Sequence, residues 1–220
     1  MSKAVHSEKL KRMAFHTAGQ AVAIYLRNKR MGLSAAFFRL IANPLDKQSH
    51  KTATKLGNGK NYTYIVDGGR LIQALPVSLV ESTVDFTRTQ KLYYEKAFDA
   101  DIINMLAGPV AEAKYVAQRD NEIITPRLVN FNSLGFYNGL EEMGTVLSYL
   151  KCLNLPPDEQ QRKMVNLYLA SFSFVGEIKI WNNISQLANH ILTTDKDIFE
   201  ADEIISFLAE ARTENRANFR

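Results

Sequence analysis

Cysteine and long apolar runs are both scarce in this sequence. Cys152 is the only cysteine, so no disulfide can form within the chain, and a reducing cytoplasm suits this usage. No uninterrupted apolar run reaches the roughly 20 residues that a membrane-spanning helix needs, so no membrane span is expected. Residues 1–11 are polar and basic with no apolar segment after them, which indicates no signal peptide.

Acidic residues are scarce at one end of the chain. Residues 1–60 contain 12 Lys/Arg and 2 Asp/Glu, whereas the remainder contains 15 and 21. A basic surface can attract nucleic acid. Without a nucleic-acid motif or interleaved aromatics, the sequence favours contacts with the chain's own acidic helices or with a neighbouring subunit. The basic surface comprises Arg27, Lys29, Arg30, Lys47, Lys51, Lys55 and Lys60.

A phosphate-binding loop is also missing. The segment Gly57-Asn58-Gly59-Lys60-Asn61 lacks the earlier glycine of the P-loop and the Ser/Thr that follows its lysine. The sequence therefore predicts no ATP site.

Apolar periodicity predicts a mainly α (α+β) protein in a single domain, residues 1–212, followed by a frayed tail, residues 213–220. A small β-sheet or hairpin is expected as an insertion at about residues 43–90, between the first two long helices, and a helical C-terminal part at about 138–212. The predicted helices are about Glu8–Arg27, Lys91–Arg119 with a kink or restart at Pro109, Leu140–Leu153, one from Pro157 with a bend near Gly176, and Asp197–Arg212.

The β-prone segments lie between the first two helices. Leu33–Ala42 is predicted as a strand and Asn43–Asn61 as a loop. Tyr62–Val66 and Arg70–Leu75 flank Asp67-Gly68-Gly69, which predicts a hairpin. One more short strand is expected within Pro76–Thr89.

Met13–Leu26 is almost wholly apolar, and its polar residues His16, Thr17 and Gln20 share one helical face. In the zinc-binding H-E-x-x-H motif, the two histidines bind the metal and the glutamate is the general base. Here the frame reads His16-Thr17-Ala18-Gly19-Gln20. A threonine cannot take a proton from metal-bound water near neutral pH, and a glutamine amide is a poor zinc ligand.

A second segment, Ala107-Gly108-Pro109-Val110-Ala111-Glu112, extends this comparison. Together the two segments resemble the zinc peptidase domain of FtsH-type membrane proteases, in which the first motif reads H-E-A-G-H-A and the second helix has a small-residue turn followed by Ala-Glu. The resemblance covers about Ser7–Arg30 and Lys91–Leu208, and it implies a helical zincin-like fold. The third zinc ligand of that family is an Asp, and Gly139 stands where it is expected. Relatives often carry a membrane anchor and an ATPase module, and neither is expected here.

This resemblance leads to the hypothesis of a proteolytically inactive pseudo-peptidase that serves as a binding, regulatory or structural module. Thr17 and Gly139 would be degenerate catalytic positions, and no cofactor is expected. His16 is expected to be neutral and bonded to Gln20, Thr17, Asn138 or a backbone carbonyl. A triple change at Thr17, Gln20 and Gly139 is expected to recover zinc binding. The vestigial site comprises His16, Thr17, Gln20, Glu112, Asn138 and Gly139.

Three alternatives stay open. The first is an active zinc-dependent metallopeptidase or hydrolase with a rearranged ligand set, in which His16 is joined by Glu112, Glu141, Glu142 or His50. The second is an anion or nucleic-acid binder that uses the basic surface, which the sequence disfavours. The third is a structural subunit of an oligomer, and a protein partner or self-association is expected in any case.

Overall fold

The fold is mainly helical, as the sequence predicts, with one small antiparallel sheet. The computed structural model describes residues 3–44, 54–55 and 61–217, and side chains for residues 7–42 and 64–210. In chain order the elements are α1 (Lys3–Val22), a π-helical turn (Ala23–Arg27), α2 (Asn28–Arg30), β1 (Phe38–Pro44), β2 (Thr54–Lys55), β3 (Asn61–Gly68), α3 (Leu79–Ser82), α4 (Arg88–Arg119), a 3-10 helix (Phe131–Tyr137), α5 (Leu140–Cys152), α6 (Pro157–Gly176), α7 (Ile178–Thr193), β4 (Ile198–Glu200) and α8 (Ala201–Ala217).

Two long helices, α1 and α4, form the centre of the molecule. They pack extensively against each other, α1 also packs on α7, and α4 packs on α6. Small residues allow the close approach: a Cβ on Gly19 would lie 2.6 Å from both the Ala107 oxygen and the Ala111 Cβ. The predicted second helix is therefore correct, but Pro109 does not interrupt it, since α4 runs through this residue.

The first helix is longer than expected and changes its winding near its end. It begins at Lys3 and continues through the π-helical turn into α2. It ends before Gly32, which has a φ of +64° that favours glycine. Lys29 and Arg30 in its last turn suit the negative end of the helix dipole.

The sheet has the strand order β2-β3-β1-β4, and every pairing is antiparallel. Leu40 of β1 lies opposite Val66 of β3 on one side and Phe199 of β4 on the other. The sheet is thus not confined to an insertion at residues 43–90, because β1 begins at Phe38 and β4 comes from the C-terminal part. The first strand also starts later than the predicted Leu33.

The predicted hairpin of residues 62–75 is wrong, because β3 pairs with β1 and residues 70–75 form no strand. The backbone amides of Leu71 and Ile72 instead donate hydrogen bonds of 2.8 Å to the two carboxylate oxygens of Asp101 on α4. The hydroxyl of Tyr149 donates a third, of 3.0 Å. A buried carboxylate thus removes both amides from any β-ladder and fixes the chain after Gly69 to the long helix.

Three other predicted elements differ in detail. Residues 76–89 contain the short helix α3 rather than a strand, with Ser78 as its N-cap. The bend near Gly176 is a break between α6 and α7. The last predicted helix is β4 followed by α8, which reaches Ala217, inside the segment expected to form a frayed tail. No helix among the described residues is long and apolar enough to cross a membrane.

Candidate functional site

The polar face of α1 lies in the wall of a cavity of about 320 Å³ between the helices and the sheet. His16, Thr17 and Gln20 all line it, together with Asn104 and Met105 of α4. Residues of β3 and the Gly68–Arg70 turn close the other side, and Glu141, Glu142 and Thr145 come from α5. The sequence-based grouping of the three α1 residues is therefore correct in position.

His16 lies between two carboxylates. Its Nδ1 atom is 3.1 Å from Glu112 Oε2, and its Nε2 atom is 3.2 Å from Glu142 Oε1. The carbonyl oxygen of Tyr137 is 3.3 Å from Nδ1. The side chain is buried, with 8% of the residue exposed. Both ring nitrogens thus face hydrogen-bond acceptors, an arrangement that suits the doubly protonated imidazolium.

These contacts set the protonation state of His16. Burial alone lowers its pKa, but the charges of Glu142 and Glu112 and their hydrogen bonds together raise it from 6.5 to about 10. The expectation of a neutral His16 is therefore wrong, and of its expected partners Gln20, Thr17, Asn138 or a backbone carbonyl, only a carbonyl, that of Tyr137, is at hydrogen-bond distance. The physical reason is that a second carboxylate, that of Glu142, lies beside the Nε2 atom of His16, for which the prediction named no charged partner.

Glu112 is fully buried and accepts from two residues besides His16. Arg12 Nε donates to its Oε1 at 2.8 Å, and Asn138 Nδ2 lies 2.8 Å from Oε1 and 2.9 Å from Oε2. Burial alone raises the pKa of Glu112, but the hydrogen bond and charge of His16, with Asn138 and Arg12, bring it below its usual value. Glu112 therefore stays ionised.

Glu142 accepts from two residues of the same helical face. Gln20 Nε2 donates to its Oε1 at 2.9 Å, and that oxygen also faces His16. Burial raises the pKa of Glu142, but the charge and hydrogen bond of His16, a backbone hydrogen bond and the hydrogen bond from Gln20 together bring it below its usual value. Its Oε2 is buried and has no hydrogen-bond partner among the described residues.

Arg12, His16, Glu112 and Glu142 together form what we call the charge quartet. It contains two positive and two negative groups, so its net charge is zero. Desolvated charges need such pairing, because an isolated one would be strongly destabilising. Arg12 also donates to the carbonyl oxygen of Phe136 at 2.8 Å, which ties the N-terminal helix to the segment before α5.

Two glycines shape the site. A Cβ on Gly108 would lie 2.7 Å from His16 Nε2 and from Gln20 Cγ, so the glycine leaves room for the polar face of α1. A Cβ on Gly139 would lie 2.8 Å from both the Leu134 oxygen and Pro109 Cβ. An aspartate at Gly139 could therefore not enter the site without moving the backbone.

The zinc ligand set of the resembled family does not fit these residues. Gln20 replaces one imidazole, Gly139 has no side chain and no room for one, and Glu142 faces the remaining histidine. Among the described residues, no group of three or more His, Cys, Asp or Glu side chains is arranged to hold a metal ion. The packing around Gly139 therefore disfavours its expected equivalence to the family's third zinc ligand. It also disfavours the expectation that a change at Gly139 helps to restore a metal site.

The remaining predicted site residues do not all lie in the cavity wall. Thr17 is buried in the cavity wall, and Glu141 lines the cavity on its exposed side. His50 lies outside the described residues. Arg12 and Gly108 were missed as site residues. The spacing Arg12, His16, Gln20 is a visible i, i+4 signal for Arg12, whereas the role of Gly108 depends on helix packing that periodicity does not report.

The basic surface is only partly described. Arg30 forms an ion pair of 2.8 Å with Glu177 before α7, and Lys29 Nζ donates to the Tyr25 hydroxyl at 3.3 Å. Burial lowers the pKa of the partly buried Arg27, and the charge of Asp99 opposes this effect. The side chain of Lys55 and the residues Lys47, Lys51 and Lys60 lie outside the described part of the chain.

Comparison with protein-family models, with curated proteins and with solved structures finds no significant match to this chain.

Proposed function

We propose that this protein is a proteolytically inactive relative of the FtsH-type zinc peptidase domain and acts as a binding, regulatory or structural module. The motif resemblance supplies the scaffold hypothesis, and the charge quartet supplies the argument against ordinary zinc hydrolysis. The single observation that carries the proposal is the position of His16 between Glu112 and Glu142, at 3.1 and 3.2 Å.

The protonation state of the imidazole decides whether His16 can bind zinc or act as a base. A zinc ligand or general base needs a free lone pair on a ring nitrogen. With a pKa raised to about 10, His16 keeps both protons at neutral pH. The carboxylate of Glu142 takes the position beside Nε2, and Gln20 donates to the same oxygen at 2.9 Å. The ion pairs of His16 with Glu112 and Glu142 therefore neutralise the polar face of α1 without a bound cation.

What remains is a preformed cavity. Its wall carries acceptor groups without partners, since both Glu142 Oε2 and Asn104 Oδ1 are buried with no hydrogen-bond partner among the described residues. Unsatisfied buried acceptors each cost about 1–3 kcal/mol, so a donor-bearing ligand or ordered water would find favourable contacts there. This supports retention of a binding role after the loss of hydrolysis.

The test is the zinc content of protein purified without chelator, measured by elemental analysis beside a peptidase assay on an unfolded protein substrate. The proposal expects substoichiometric zinc and no cleavage. His16→Ala should change neither result. Stoichiometric zinc that disappears in His16→Ala, or cleavage that depends on His16, would refute the proposal.

One observation favours the alternative of a zinc-dependent metallopeptidase with a rearranged ligand set. Two donors bound to one tetrahedral zinc ion lie about 3.3 Å apart, close to the 3.2 Å between His16 Nε2 and Glu142 Oε1. Glu112 at Nδ1 would then orient the imidazole, as carboxylates behind metal-bound histidines do. Glu141 is the nearby candidate for a third ligand.

Glu142→Gln separates the two functions. The alternative predicts that this change abolishes both zinc binding and cleavage, while Glu159→Gln on the exposed surface of α6 changes neither. The pseudo-peptidase proposal predicts that wild type, Glu142→Gln and Glu159→Gln are equally inactive.

A further inference from the structure

Exposed apolar side chains gather around the short helix α3. Val80 within the helix is 60% exposed, and the flanking residues Val77 and Val84 are 93% and 77% exposed. We call these three residues the valine ridge. Soluble monomers expose single apolar residues routinely, but three strongly exposed valines so close in the chain, beside an apolar groove, indicate an interaction site.

The ridge is held in a fixed shape. Ser78 caps α3 by accepting from the Glu81 amide, and the hydroxyl of Thr83 donates to the Leu79 oxygen at 2.8 Å. Leu79 is buried and anchors the helix on the body of the protein. A preorganised surface loses little conformational entropy on binding, so it favours association.

An apolar groove of about 800 Å³ lies next to the ridge. Val80 belongs to both, because it also lines the groove. Leu92 and Tyr93 of α4 are 58% and 43% exposed in the groove wall. The apolar lining of the groove comprises Leu79, Val80, Leu92, Tyr93, Phe98, Leu153 and Leu155.

The charges of the groove balance. Glu95 and Asp99 supply two negative groups, and Lys96 and Lys163 supply two positive groups. Asp99 and Lys163 pair with each other at 2.5 Å. Because the formal charge of the whole chain is +4, a face with balanced charges adds no local repulsion when two copies meet through it.

We propose that the valine ridge and the adjacent groove form the interface of a symmetric dimer of this chain. In a twofold dimer each surface patch meets its own copy, so a ridge beside a groove is self-complementary: the ridge of one copy enters the groove of the other, and the reverse. This interface shares no lining residue with the cavity at His16, so it is independent of the proposed function.

The exposed apolar residues can be compared with what such an interface needs. A stable dimer takes about 800 Å² from each partner. The five apolar side chains of the ridge and the groove wall are between 43% and 93% exposed, so they can supply a large part of that area, and Glu95 and Lys96 lie beside them. An apolar centre with a polar rim is the usual anatomy of a protein interface.

Sedimentation velocity of the full chain, over a concentration series from about 1 to 100 μM, tests the proposal. The wild type should be a dimer, and Val80→Glu combined with Leu92→Glu should weaken the dimer at least a hundredfold. The matched control is Ile123→Glu combined with Ile178→Glu, since these residues are 83% and 78% exposed but lie outside the groove. The control should remain dimeric.

Val80→Ser combined with Leu92→Ser provides a milder variant, and circular dichroism checks the fold of each protein. A folded wild type that stays monomeric at the highest concentration overturns the proposal, whether or not another protein binds this face. A dimer that survives both groove variants overturns it equally.

Discussion

Gly108 lies so close to His16 that a single added Cβ would be 2.7 Å from the imidazole Nε2 atom. The two residues belong to α4 and α1, and this contact sets how closely the helices approach at the site. The absence of a side chain at residue 108 is therefore a packing requirement of the charge quartet.

Gly108→Ala should lower the free energy of unfolding by about 1–3 kcal/mol, because the methyl group overpacks against His16 and Gln20. Gly144→Ala is the matched control, since its Cβ would meet nothing within 4 Å. The control should be neutral or gain up to about 1 kcal/mol from helix propensity. Urea unfolding of both variants measures the difference, and equal stabilities would contradict the described contact.

His16 predicts a pH dependence of stability. Its folded-state pKa of about 10 is above the unfolded value of 6.5, so its contribution is fully present below pH 6.5 and is lost as the pH rises through 10. We expect wild type to exceed His16→Gln in unfolding free energy by on the order of 2–4 kcal/mol near pH 6. The gap should narrow steadily up to pH 10.

The pKa values of Glu112 and Glu142 are lowered, so their contributions are present above 4.5, the ordinary value, and are lost in acid. They therefore add nothing to the alkaline slope. Urea titrations at several pH values check the prediction. A gap between wild type and His16→Gln that stays constant from pH 6 to pH 10 would contradict a protonated His16.

Asp101→Asn should loosen the segment after β3. The carboxylate accepts 2.8 Å bonds from the Leu71 and Ile72 amides, and an asparagine offers only one oxygen in its place. We expect faster hydrogen exchange at these two amides and a loss of about 1–3 kcal/mol in unfolding free energy. Asp99→Asn, on the outer side of the same helix, should leave both amides protected. Unchanged exchange in Asp101→Asn would show that the segment is held by other contacts.

A designed zinc site offers a direct check on the position of Glu142. Thr17→Glu combined with Gln20→His restores the base and the second imidazole on α1, and Glu142 lies where it can serve as third ligand. We expect this double variant to take up zinc, measured by elemental analysis. Adding Gly139→Asp should lower stability by about 1–3 kcal/mol without more zinc, because the residue is packed against Leu134 and Pro109. Zinc uptake only in the triple variant would reverse this assignment.

Local sequence signals were sufficient for the two long central helices but not for the sheet. The apolar character of Met13–Leu26 and the periodicity of Lys91–Arg119 reflect burial on many sides, which α1 and α4 indeed have. The hairpin prediction at residues 62–75 used valid turn chemistry at Gly68 and Gly69, both of which have positive φ. It was wrong because Asp101, some 30 residues later in the chain, captures the amides.

The sequence predicted most members of the candidate site, although not Arg12 or Gly108, and it did not predict the charge state of His16. His16, Gln20, Glu112 and Asn138 were all named from motif positions, and the structure brings them together. The protonation of His16 depends on Glu142, and Glu142 reaches the ring because α5 begins immediately after the tightly packed Gly139. Such a relationship follows from tertiary packing over more than a hundred residues, and no short motif encodes it.

The π-helical turn at Ala23–Arg27 has a consequence for the long N-terminal helix. In an ideal α-helix, residues spaced by four drift about 40° per step around the axis, so a row starting at His16 would have rotated away from α4 by Asn28. The wider turn holds one extra residue per revolution and cancels part of that rotation. Asn28 consequently still reaches Asn104 at 3.0 Å. Deleting a single residue from this turn would leave the ion pairs of His16 in place but would turn Asn28 toward solvent. The π-helical turn thus keeps both ends of the row of polar residues in contact with α4.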